Sequence, residues 1–117
     1  MIIDITISKN NRKISFPVHR VSILGKITGL MFRTRNTRNL LFEFTRPVKL
    51  SIHSWFVFFP FLIVWTDKKN NVIGQKVVLP FTTAIAPLRP FSKAIEVPFS
   101  RRNKDILDFF VDTKRFK

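Results

Sequence analysis

The feature that most constrains the fold of this chain is the alternation of apolar and polar side chains in short segments separated by polar turns. It is clearest over Ile3 to Ile7 and again over Ile14 to Val18, on either side of a polar patch at 9–12. Such alternation is typical of strands that bury one face. The two segments therefore predict a β-hairpin. Pro17 lies on the polar phase, which predicts that the second strand lies at a sheet edge.

The rest of the chain shows the same short-strand pattern. Further strands are predicted at 40–44, 48–58, 61–66, 72–79 and 93–99, with Arg46 and Pro47 as a break and 61–66 and 72–79 as a second hairpin. Residues 104–111 are predicted to be a short strand or a turn of helix, and residues 80–90 an irregular crossing. A short helix is predicted from Val21 to Ile27, ended by Gly29. The fold class is therefore mainly β, a compact β-sandwich or distorted barrel with one short helix.

Length and apolar content favour a single β domain over residues 1–117, with a basic tail at about 113–117. The chain has no Cys, which excludes disulfides and thiolate zinc sites. Its longest apolar run, Trp55 to Trp65, contains Pro60 and is far shorter than the roughly 20 residues of a membrane span. The run predicts core strands buried on both faces. No signal peptide is visible, so we expect a cytoplasmic protein with no membrane partner.

The charge balance points to a polyanionic partner. The chain has 21 Lys and Arg against 7 Asp and Glu, a net charge of +14. So large a charge on a small domain repels itself unless an anion neutralises it. The loop from Arg33 to Asn39 carries three arginines without an acid, and arginine pairs well with phosphate. The candidate nucleic-acid contacts are Lys9, Arg12, Lys13, Arg33, Arg35, Arg38, Arg46, Lys49, Arg101, Arg102, Lys114, Arg115 and Lys117.

The sequence offers little for catalysis. His19 and His53 are its two histidines, the acids are dispersed, and no nucleophile or phosphate-loop motif occurs. We therefore expect no enzymatic activity, no cofactor and no metal site. His53 and Trp55 share a strand phase and are the candidates for a small-molecule or peptide pocket, which is the alternative function.

Three motifs in order resemble the family known as domain of unknown function 192. They are Gly29-Leu30-Met31-Phe32-Arg33 followed by Phe42-Glu43-Phe44, then Ile52 to Pro60, then Glu96-Val97-Pro98 with Asp105-Ile106-Leu107 downstream. The resemblance runs from about Val21 to Val111 and implies a compact β domain of sandwich or barrel type, without an established activity. The family usually has an acid at the position of Leu62, so the resemblance implies that this chain lacks part of a family pocket.

Charge and composition together give the functional hypothesis. We expect a non-enzymatic RNA-binding protein, a ribosomal or ribosome-associated accessory protein whose cations contact rRNA phosphates, with ribonucleoprotein subunits as further partners. The likeness to accessory ribosomal proteins is one of composition alone.

Overall fold

The computed structural model describes residues 2–21, 37–50, 57–82, 85–87 and 89–111. They form one six-stranded sheet and a short helix. The elements are β1 (Ile2–Lys9), β2 (Arg12–Arg20), β3 (Leu40–Val48), β4 (Phe61–Thr66), β5 (Val72–Val78), β6 (Phe91–Pro98), a 3₁₀ turn (Arg101–Asn103) and α1 (Lys104–Phe110). The strand order is β1-β2-β3-β6-β4-β5. All neighbouring pairs are antiparallel except β2 and β3.

The sheet curls into a half-barrel, so its two edge strands approach each other at one end. The Ser8 amide of β1 donates to the Asn70 carbonyl, just before β5, at 2.9 Å. The mainly β, barrel-type architecture is confirmed, with one short α-helix among the described residues. That helix is Lys104–Phe110, where the sequence predicted either a short strand or a turn of helix.

Two apolar clusters fill the two faces of the sheet. One contains Ile5, Ile7, Phe16 and Val18 from the β1–β2 hairpin and packs against α1. The other lies on the opposite face around Phe61, Trp65 and Phe91, where Val57, Phe59 and Ile85 cover it. The alternating strands therefore bury one face and the central strands bury both. Every residue of β4 is buried, as its continuous apolar run predicted.

Two details of the predicted fold are wrong. Strand β2 is not an edge strand, because it lies between β1 and β3. However, β3 pairs with only His19 and Arg20 of β2, so Pro17 precedes that pairing and no ladder bond to β3 is lost. The strand β3 also does not break at Arg46 and Pro47 but continues to Val48, with a register shift that accommodates the proline.

Several predictions concern residues outside the described ranges. Of the helix predicted from Val21 to Ile27, only Val21 lies within the described ranges. The strand predicted over 48–58 is only partly described. Residue Val48 is the last of β3, and neither 49–50 nor 57–58 belongs to a strand. The second hairpin and the strand predicted over 93–99 are confirmed as β4–β5 and β6.

Candidate nucleic-acid interface

The turn between β1 and β2 places three predicted cations at one end of the half-barrel. Lys9 pairs with Arg12 across the hairpin, which leaves a two-residue turn. Both turn residues have positive φ, 51° for Asn10 and 64° for Asn11. Asparagine tolerates this left-handed region better than other residues with a side chain, and such a turn matches the twist of the flanking strands. The local sequence therefore builds a tight hairpin end.

Lys9 does not point into solvent but ties the hairpin to the far edge of the sheet. Its ammonium donates to Gln75 Oε1 at 2.6 Å and to the Phe110 carbonyl at 3.4 Å. Gln75 Nε2 donates to the same carbonyl at 2.5 Å. Burial of the ammonium, and then the charge of Arg12, lower the pKa of Lys9. We call these three groups the Lys9 clasp, because they join β1, β5 and the end of α1.

Arg12 and Lys13 remain exposed on the same hairpin end. The Arg12 guanidinium lies over the Phe109 ring, 5.0 Å from its centroid, which positions its charge against α1. Residues 8–13 line a groove of about 500 Å³ together with Asn71 and Val72. None of these lining residues is acidic. We call this feature the basic groove.

The turn between β4 and β5 flanks the basic groove and adds cations that sequence reasoning did not select. Lys68 and Lys69 are exposed on it. The Asp67 carboxylate organises the turn, accepting from the amides of Lys69 and Asn71 at 2.8 and 2.9 Å. Desolvation raises the pKa of Asp67, but these hydrogen bonds outweigh it and hold the pKa below its usual value. The two turns meet through the Ser8–Asn70 contact, a non-local pairing that the local pattern could not reveal.

A second group of predicted cations lies at the other end of the β1–β2 hairpin. Arg38 is exposed on the segment that enters β3, and Arg102 lies in the 3₁₀ turn. Arg102 Nη2 donates to the Thr37 carbonyl at 2.7 Å, which joins the two segments. Both arginines line a cavity of about 260 Å³. Because these segments are distant in sequence, the spacing of the arginines could not predict that they share a cavity.

The remaining predicted cations do not join either group. Arg46 and Lys49 are exposed toward the far end of β3, and Arg101 is exposed beside α1. Ion pairs elsewhere link Arg20 with Glu43 at 2.5 Å and Lys104 with Asp108 at 2.8 Å. Five predicted nucleic-acid contacts lie outside the described residues, namely Arg33, Arg35, Lys114, Arg115 and Lys117. The candidate pocket pair, His53 and Trp55, also lies outside them.

Within the described ranges, no three His, Asp or Glu side chains are grouped as a metal ion would require. In the same ranges no helix has the length and apolar character needed to span a membrane.

The fold and its basic surfaces define a class: a small, mainly β half-barrel domain with a cationic hairpin end. The chain belongs to the DUF192 family, whose model, described as an uncharacterized ACR, matches residues 7–106. The resemblance noted from the sequence motifs is thereby confirmed. No match was found among curated proteins.

Two crystal structures share the fold. One is a protein of unknown function from Novosphingobium aromaticivorans, with a TM-score of 0.73 and 15% identity over 90% of this chain and 78% of the other. The second, from Sinorhizobium meliloti, is named as a candidate transcription regulator. Its TM-score is 0.72 at 15% identity, over 90% of this chain and 84% of the other. Similarity at this level establishes a common fold.

Proposed function

We propose that this protein is a non-enzymatic RNA-binding protein that acts in the cytoplasm as a ribosomal or ribosome-associated accessory protein. The observation that carries the proposal is the basic groove. It presents Arg12 and Lys13 without an acidic lining residue, and the neighbouring turn adds Lys68 and Lys69. The groove belongs to a chain of net charge +14, for which a polyanion is the expected partner.

The chemistry of the groove favours contacts with the RNA backbone over reading of base sequence. Beside its cations lie the side-chain amides of Asn10 and Asn11, groups that donate to phosphate and sugar oxygens in nucleic-acid complexes. The hairpin end is held by the Lys9 clasp and the neighbouring turn by Asp67. A rigid, shaped cationic surface suits structured RNA, which is recognised largely through its shape and its phosphates.

The test is a salt titration of binding to structured rRNA fragments, followed by fluorescence anisotropy. The slope of log K against log salt is negative, and each lost phosphate contact reduces its magnitude by about 0.7 to 0.9. We expect the double variant Arg12→Gln/Lys13→Gln to reduce this magnitude by about 1.5. The matched control is Arg20→Gln/Lys104→Gln, which makes the same change in net charge at two ion-paired residues. It is expected to reduce the magnitude of the slope by less than half as much.

The proposal is overturned if the wild-type protein binds structured RNA with a slope near zero, or if the two double variants change the slope equally. Thermal melting of each variant checks that it is folded. Association with the ribosome is tested separately by sedimentation from lysate. The protein should travel with ribosomal particles at low salt and leave them at high salt, and its absence from them at low salt would confine the proposal to RNA binding.

A further inference from the structure

The cavity at the open end of the β1–β2 hairpin combines apolar walls with cationic and amide groups. Ile2, Pro17 and Ile106 form the apolar part. Arg38 and Arg102 supply the charge, and no described lining residue is acidic. A volume of about 260 Å³ is slightly below the range of about 300–1,000 Å³ usual for small-molecule sites, so the cavity suits one small ring system.

A buried polar atom beside the cavity has no hydrogen-bond partner among the residues that the structure describes. It is Oδ1 of Asn39, a residue that is only 7% exposed. Its Nδ2 atom donates to the Pro17 carbonyl at 3.5 Å, the outer limit of a hydrogen bond. Leaving a buried acceptor unsatisfied is unfavourable, and such groups in native structures call for an explanation. A ligand that presents N–H donors on a planar edge would satisfy the Asn39 oxygen and so explain it.

We infer that this cavity binds one nucleoside monophosphate unit, presented by RNA as an unstacked nucleotide. The inference rests on the proposed function and names the form of RNA that the protein takes. The base lies against Ile2 and Pro17, with its polar edge toward Asn39, and the phosphate is paired by Arg38 and Arg102. The apolar walls and the Asn39 amide oxygen suit a base, and the two guanidinium groups suit a phosphate. Exposed bases are the usual target of specific RNA recognition.

The position of the cavity relative to the basic groove supports RNA as the source of the nucleotide. Ile2 lines the cavity and Lys9 lines the groove, at opposite ends of β1. Seven residue steps of a strand cover about 23 Å. Each strand of a DNA duplex carries one phosphate per roughly 3.4 Å, so a fully stacked strand needs about seven phosphates to span this distance and an unstacked strand needs fewer. A single strand of about eight nucleotides therefore reaches both sites.

The experiment compares an unstructured RNA octamer with the same octamer made from abasic residues, which keeps the phosphates and removes the bases. We expect the wild-type protein to bind the normal octamer about tenfold more tightly. Ile2→Glu places a negative charge at the cavity on a side chain that is 53% exposed, so the fold tolerates it. It should reduce the preference to less than twofold. Leu79→Glu makes the same change at another exposed residue, which is not among the cavity's lining residues, and should retain the preference.

The outcomes separate this inference from the proposed function. If both octamers bind with equal, salt-dependent affinity, the assignment of the cavity to a nucleotide is overturned and the proposed function stands. Loss of preference in both Glu variants also overturns it. In an octamer carrying a single 4-thiouridine, photo-crosslinks should fall on peptides containing Ile2, Pro17 or Ile106, and crosslinks confined to residues 8–13 contradict the assignment.

A last arm distinguishes RNA from a free nucleotide as the source. Thermal melting is repeated with millimolar adenosine or uridine monophosphate. If neither octamer binds but structured rRNA does, the cavity takes no RNA nucleotide and the proposed function stands; if structured rRNA also fails to bind, the proposed function fails. A mononucleotide-dependent rise in Tm that Ile2→Glu abolishes then assigns the cavity to free nucleotides, and the absence of any rise overturns the inference as well.

Discussion

The Lys9 clasp yields the sharpest prediction about stability, made with the substitution Gln75→Ala. Gln75 accepts from the Lys9 ammonium at 2.6 Å and donates to the Phe110 carbonyl at 2.5 Å. A hydrogen bond to a charged group contributes about 1.5–3 kcal/mol and a neutral one about 0.5–1.5 kcal/mol. The clasp is only partly buried, so the low end of each range applies. We expect a loss of about 2 kcal/mol.

That loss converts into a measurable change in melting temperature. An unfolding entropy of about 2.1 cal/mol/K per residue gives roughly 0.25 kcal/mol/K for 117 residues. A loss of about 2 kcal/mol therefore lowers Tm by about 8 °C. Differential scanning calorimetry at neutral pH is the assay.

The control for Gln75→Ala is Lys76→Ala, on the next residue of β5, whose side chain is exposed and forms no hydrogen bond or ion pair among the described residues. It should change stability by less than about 0.5 kcal/mol. The reasoning is refuted if the two substitutions lower Tm by the same amount. It is also refuted if Gln75→Ala leaves Tm unchanged, because the clasp would then contribute nothing to stability.

Three further predictions concern a turn, the core and a strand. The carboxylate of Asp67 has a lowered pKa in the folded state, so its stabilising contribution is complete above the unfolded pKa of about 3.9 and is lost as pH falls through the folded value. The Tm difference between wild type and Asp67→Ala should therefore be largest near neutral pH and vanish in strong acid; a constant difference would contradict this. Leu62→Asp should abolish the fold, as judged by near-UV circular dichroism, because Leu62 is fully buried among apolar residues; a native spectrum would show that the core admits an acid there. Gly74→Ala should leave stability unchanged or raise it by up to about 1 kcal/mol in urea titrations, since the added Cβ lies 3.4 Å from Trp65 Cε3; a loss above about 1 kcal/mol would mean that the ring cannot yield.

Local pattern was sufficient to predict most strands but not their arrangement. The alternation over Ile3 to Ile7 marks which side chains enter the core, because period-two burial is a property of a single strand. The order of strands depends on pairings between distant segments, and β6 inserts between β3 and β4 without any local indication. The error over Pro17 has the same origin, since its tolerance depends on where β3 begins to pair.

The candidate site, like the fold, could be predicted from the sequence only in part. Composition was enough to select Arg12 and Lys13 as surface cations. It could not predict that Lys9 is drawn inward, because the acceptors at Gln75 and Phe110 lie on elements far along the chain. Nor could it predict that the turn bearing Lys69 flanks the basic groove, a contact created by the curl of the whole sheet.

The hydrogen bonds of the two turns help to explain why the fold keeps so many cations around the basic groove. Gathering like charges at one end of a domain opposes folding, since each cation raises the energy of its neighbours. Yet the polar contacts of Lys9 and Asp67 hold the two turns in place and keep their cations close together. Rigid cationic turns lose little conformational entropy when an anion binds, so the same bonds that oppose charge dispersal favour association. Repulsion among these cations opposes folding of the isolated chain, and a bound polyanion would relieve it, as the proposed function requires.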